Sequence, residues 1–133
     1  MANNMQYKRQ PRNIFELKDV DELSCEVESY HTGLADLRIS VSKETSIDIQ
    51  VEHPIELIFS APYFFDGPLG WKGADFRLAP ESEKRELCDK LGWFKNLPDA
   101  APDGVLQLIE LFIVQNTNYK VRILARDAYR VDK

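Results

Sequence analysis

Two cysteines, two histidines and six glycines are all that this 133-residue chain holds of those residue types, and each scarcity closes off a class of protein. Two thiols, Cys25 and Cys88, do not make the disulfide framework on which small secreted domains rely. A reduced, cytoplasmic protein is expected. The histidines, His31 and His53, share no metal-ligand spacing with each other or with the cysteines. Neither a metal nor any other cofactor is expected.

Long apolar runs are also missing. The longest, "VLQLIELFIV", is interrupted by Gln107 and Glu110, far short of the ~20 residues that span a bilayer. The amino-terminal "MANNMQYKRQPRNIF" has basic residues without the apolar centre of a secretory signal. Positive charge is in deficit, with 17 Lys and Arg against 22 Asp and Glu and a net charge of -5. That balance argues against a nucleic-acid partner, whose phosphates reward a basic face.

Catalytic signatures are absent too. The chain contains no G-x-S-x-G, no H-E-x-x-H and no phosphate-cradling glycine loop. Ser29 and His31 lie too close in one turn to imply a triad, which is assembled from distant segments. Carboxylates are plentiful, among them Asp66, Asp75, Asp99, Asp103 and Asp127, and no pair stands out for acid–base work.

What is present is ordinary globular composition, 44% hydrophobic and 29% charged, well outside the disordered class. One domain over residues 1–133 is expected, with residues 1–12 a flexible polar tail. The clearest pattern is period two. In "ELSCEVESY" the positions Leu23, Cys25 and Val27 alternate with acidic and small residues, as a half-buried strand requires. "DLRISVS" repeats the pattern with Leu37, Ile39 and Val41, and "SIDIQVE" with Ile47, Ile49 and Val51. Short connections such as "HTG" and "SKETS" make these runs an antiparallel meander. Pro54 then interrupts the ladder, because it has no N–H to donate.

"PESEKRELCDKLGW" predicts a helix over about 80–91, with Leu87, Cys88 and Leu91 on one stripe and Gly92 as its C-terminal stop. "KNLPDAAPDG" reads as a loop. The segment 105–114 fits a helix at Val105, Leu108, Ile109 and Phe112, yet its β-branched and aromatic residues and the turn "QNTN" favour a C-terminal hairpin. On the last strand Tyr119, Val121, Ile123, Ala125, Tyr129 and Val131 share one parity. Lys120, Arg122, Arg126 and Arg130 share the other, as a basic stripe. Glu22, Glu26 and Glu28 form an acidic counterpart on the first strand, and the two stripes either pair across strands or present a charged face. The expected fold class is α+β: a mostly antiparallel sheet of five to seven strands with one main helix.

One stretch resists that scheme. "APYFFDGPLGWKG", residues 61–73, lies in an 18-residue window holding Phe59, Tyr63, Phe64, Phe65, Trp71 and Phe76. So much aromatic surface on a glycine- and proline-rich segment has two readings. Either the loop folds back as a lid over the sheet, anchored by Phe64 or Phe65, or it presents a contact surface built from Tyr63, Phe65, Asp66, Trp71 and Lys72.

Two functions follow. The first is a small acidic, non-enzymatic binding protein, inhibitor- or immunity-like in general character, that meets a protein partner through this loop and the charged strands. The second is a small enzyme or ligand carrier with an apolar pocket beneath residues 61–76, lined by Tyr63, Phe65 and Trp71, with Asp66 or Asp75 as its polar group. An edge strand of the meander leaves a homo-oligomer open.

Overall fold

The computed structural model describes residues 13–30, 36–43, 55–95, 101–115 and 117–132. The proposed tail, both meander turns, the run "SIDIQVE" and Pro54 lie outside the described residues, apart from Ser42 and Lys43 at the start of the second turn. Nine strands are present among the described residues, in two antiparallel sheets. The first sheet has the order β5-β1-β2-β3-β9, built from β1 (Ser24–Tyr30), β2 (Asp36–Ser42), β3 (Ile55–Ser60), β5 (Gly70–Lys72) and β9 (Asp127–Asp132). The second has the order β4-β8-β7-β6, from β4 (Phe64–Asp66), β6 (Asp75–Leu78), β7 (Glu110–Gln115) and β8 (Arg122–Ala125).

The α+β class and the antiparallel pairing stand, while the strand count exceeds the expected five to seven. Two features account for the excess. The aromatic segment contributes three short strands, β4, β5 and β6, where its glycines and prolines suggested irregular structure. The last alternating run is two strands, β8 and β9, separated at Arg126. The third meander strand among the described residues is β3, paired with β2 from Asp36↔Ser60 to Val41↔Ile55.

The chain passes from one sheet into the other four times, once through the 67–69 connection between β4 and β5 and three times at a bend. β3 continues into β4 through Ala61, which holds a left-handed φ of 50° despite its side chain. β5 continues into β6 through Gly73, at φ 116°, where the missing Cβ permits the turn. β8 continues into β9 at Arg126. Followed through these bends, hydrogen-bonded neighbours run from β5/β6 through β1, β2, β3/β4, β8/β9 and β7 back to β6, a closed, barrel-like ring. Its interior holds the main core, with Leu37, Ile39, Leu57, Phe59, Phe76 and Ile123 inaccessible to solvent. The register explains the inward set: Phe76↔Val114, Phe112↔Ile123 and Phe65↔Ile123 stack on one parity of successive strands.

The other parity of the second sheet is covered by helices. α1 (Glu81–Lys90) lies where the sequence predicts it, and with α2 (Ala101–Leu106) it buries Leu87, Cys88, Leu106 and Ile109 against Leu111 and Leu124. α1 ends on a Schellman-type cap. Gly92, at φ 81°, donates to Asp89 O at 3.0 Å, and Trp93 N donates to Cys88 O at 3.1 Å.

α2 occupies part of the segment that reads as a loop. The 105–114 ambiguity resolves by division: Val105 and Leu106 end α2, and a strand runs from Glu110. Lys84 joins the two helices to the sheet. Its ammonium is buried and donates to Leu106 O at 2.8 Å and Ile109 O at 2.9 Å, with Glu81 and Glu110 carboxylates at 3.3 and 3.6 Å. It thereby caps the carbonyl end of α2, where orphan acceptors collect. No helix among the described residues is long and apolar enough to cross a membrane.

Candidate partner-binding face

The aromatic segment divides its side chains between the two sides of the wall. Trp71 on β5 is 5% exposed. Its Nε1–H donates to Gly73 O at 2.8 Å, so both ring and polar handle are satisfied inside. A solvent-presented Trp71 is thus corrected to a core residue. Phe59, Phe76 and Phe112 fill the space beneath, with ring centroids 5.2 to 6.5 Å apart through Phe59–Phe112, Phe59–Phe76 and Trp71–Phe76. The position expected for an apolar pocket is a stack of rings. Asp75 is buried on the opposite parity of β6 from Phe76, and its two oxygens accept from Arg77 Nε and Nη2 at 2.9 and 3.1 Å, a closed bidentate pair.

Phe65 follows the inward parity and is half-buried, with its ring 6.1 Å from Tyr30. Burial raises the Tyr30 phenol above its usual value. Lys72 is exposed on β5, at the other edge of the molecule's ring from β4. Of the five loop residues expected to form one surface, Tyr63 and Asp66 lie on the side of β4 nearer the helices, Tyr63 against Trp93 and Asp66 against Arg122.

That face is built by β4, β8 and the end of α1. Tyr63 is 44% exposed and meets Trp93 edge to face at 5.3 Å. Phe64, next along β4, lies under the Arg122 guanidinium at 5.7 Å, a cation–π contact. Register places Asp66 opposite Arg122, and Nη2 donates to Asp66 Oδ2 at 3.2 Å. Here the fork is half filled. In Arg77–Asp75 and Arg130–Asp132 both Nε and Nη2 find carboxylate oxygens. Arg122 Nε is buried and has no hydrogen-bond partner among the described residues. An unpaired buried donor of this kind costs roughly 1–3 kcal/mol.

Beside Arg122 a polar cleft of about 510 Å³ opens toward α1, bordered by Lys120, Lys90, Ser82, Glu83 and Glu86. The face therefore combines an exposed tyrosine, a half-buried tryptophan, an arginine and two lysines.

The basic stripe does not exist as one surface. Lys120 and Arg122 stand on the outer side of the second sheet, and Arg126 sits at the bend. Parity reverses there, so Arg130 faces Leu57 across β3 and reaches over the end of the ring, donating to Phe15 O at 2.9 Å. Tyr129, expected inward, is 49% exposed for the same reason. The acidic positions Glu26 and Glu28 are on β1, whose neighbours are β2 and β5, so the two stripes do not pair. Glu22 instead pairs with Lys43 at 3.1 Å.

Both cysteines are free and buried. Burial pushes the Cys25 thiol up to about 12 and raises Cys88, whose shift the nearby Lys84 ammonium opposes. Neither is poised as a nucleophile. No group of His, Cys, Asp and Glu suited to a metal ion occurs among the described residues. Trp93 and Lys90 were missed in the sequence, although the residue after a C-terminal glycine cap commonly makes an apolar contact back onto its helix. Comparison with known protein families, with curated proteins and with solved structures finds no match, so the functional reading rests on geometry alone.

Proposed function

We propose that this chain is a small acidic, non-enzymatic binding protein that contacts a protein partner through the outer face of β4 and β8. The observation that carries this reading is the grouping of exposed Tyr63 and half-buried Trp93 with the Arg122 guanidinium, which lies over Phe64, on the helix side of the second sheet. Tyr, Trp and Arg are the side chains that dominate partner binding, and rigid rings give contact area at low entropic cost. Asp66, Lys120 and Lys90 supply the polar rim. The size and the net charge of -5 suit an inhibitor- or immunity-type protein. The two free buried thiols accord with a reducing, cytoplasmic setting.

A photo-crosslinking residue at position 63 tests the surface directly. Expressed in the native host, the chain labelled at Tyr63 is expected to form a discrete covalent adduct with one protein, and the chain labelled at Leu69 is expected to form none. Equal adduct patterns from both positions would refute the assignment.

A further inference from the structure

A second surface lies where β9 leaves the ring, away from the β4–β8 face. β7 pairs with β8 from Glu110↔Ala125 to Ile113↔Arg122, and after Arg126 the chain turns to pair with β3 instead. The wall between β7 and β9 is consequently split. Among the described residues β9 has a neighbour on one side only, and none of its backbone groups facing away from β3 bonds to another backbone group. Into this split opens a cleft of about 390 Å³ whose floor is Phe112, Ala128 and the exposed side chains of Leu78 and Tyr129. Leu78 is 48% exposed although its cross-strand partner Phe112 is buried.

The rim is acidic. Glu16, Glu110 and Asp127 border the cleft, with Arg130 as the only cation on its lining among the described residues. Arg130 is already committed, to Asp132 at 2.6 Å and to the carbonyl oxygens of Phe15 and Glu16 at 2.9 and 3.4 Å. Glu110 is 3.6 Å from Lys84 but its side chain is 45% exposed, while Glu16 and Asp127 have no ion-pair partner among the described residues. A strand edge unpaired among the described residues, an apolar floor and the carboxylates of Glu16 and Asp127 define one kind of occupant.

We propose that this split binds a short extended peptide segment of basic and apolar character, which adds to the free edge of β9. Strand addition supplies main-chain hydrogen bonds, and alternate side chains supply selectivity. Asp127 to Arg130 offers an edge of roughly 13 Å, room for about four peptide residues at about 3.3 Å each. An apolar side chain seats on Leu78 and Phe112. Lysine or arginine two positions away, on the same face of the strand, meets Asp127 or Glu110.

The probe is a fluorophore-labelled pentapeptide with leucine at its centre, lysine at both ends and serine between, added to the full chain. Its glutamate-ended counterpart and a copy N-methylated on alternate amides serve as comparisons. Fluorescence anisotropy is expected to show the lysine peptide binding at least about tenfold tighter than the glutamate one, and about tenfold tighter than the N-methylated one. Asp127→Asn is expected to weaken the lysine peptide several-fold. Leu78→Arg is expected to abolish binding with unchanged circular dichroism. Equal affinity for lysine and glutamate peptides, or indifference to N-methylation, would overturn the proposal. So would a homodimer in sedimentation that Leu78→Arg dissolves, since a second copy would then own the edge.

Discussion

Asn13 shows how much one polar side chain organises. It is 1% exposed, and its Oδ1 accepts from the backbone N–H of Phe15 and Leu17 while Nδ2 donates to Leu17 O. That closed loop aims Phe15 into the ring's interior, edge-on to Phe59 and Phe76 at 5.9 and 5.5 Å. Asn13→Ala leaves buried backbone donors unpaired and is expected to cost about 2–3 kcal/mol in urea denaturation. Trp71→Ala removes a buried ring together with its bond to Gly73 O and is expected to cost about 3–5 kcal/mol. Tyr63→Ala, at a half-exposed ring, is expected to stay within about 1 kcal/mol. The contrast separates buried core from exposed surface in the same urea measurement.

The thiols give a pH signature. A Cys25 pushed by burial from 9.0 to about 12 binds its proton more tightly folded than unfolded. Stability is therefore fully present below the unfolded value and declines as pH rises above 9, by at most about 1.4 kcal/mol per pH unit from this group. The raised Cys88 and Tyr30 act in the same direction. Urea midpoints at pH 8 and pH 10 measure it, and a Cys25→Ala variant is expected to flatten the decline.

At the level of elements, period-two patterning was legible because β1 and β2 have one buried and one open face, so their sequence alternates. α1 was legible because a stripe, a proline at its start and a glycine at its end agree. The 61–76 segment was not. Its strands are three or four residues long, too short for alternation to register, and its bends rest on an alanine at positive φ that no propensity anticipates. The split of β8 from β9 was hidden too, since Arg126 changes parity without any glycine or proline to announce it.

Lys84 is the clearest element-scale test. Truncating Lys84→Ala strands the Leu106 and Ile109 carbonyls and removes the tie between α1, α2 and β7. About 3 kcal/mol is the expected loss, with hydrogen exchange accelerating first in α2.

For the whole molecule, the ring and its helical cover assign each aromatic a side. Phe59, Trp71, Phe76 and Phe112 hold the interior, and Phe64, Trp93 and Tyr63 gather on the helix side near Arg122. Within residues 61–73 Trp71 is buried in the interior and Tyr63 is exposed, and the contact reading of Tyr63 belongs to the function proposed above. The candidate face was thus half legible. Tyr63, Asp66, Lys120 and Arg122 were nameable from sequence, whereas their meeting depends on the β4–β8 register and on the cap that brings Trp93 back.

The decisive measurement is quantitative affinity capture from the native host with three versions of the chain: unaltered, Lys72→Ala, and Tyr63→Ala combined with Lys120→Glu. A protein retained by the first two and reduced at least about tenfold by the third, with unchanged melting temperature, is the expected result. Equal retention by all three would contradict it.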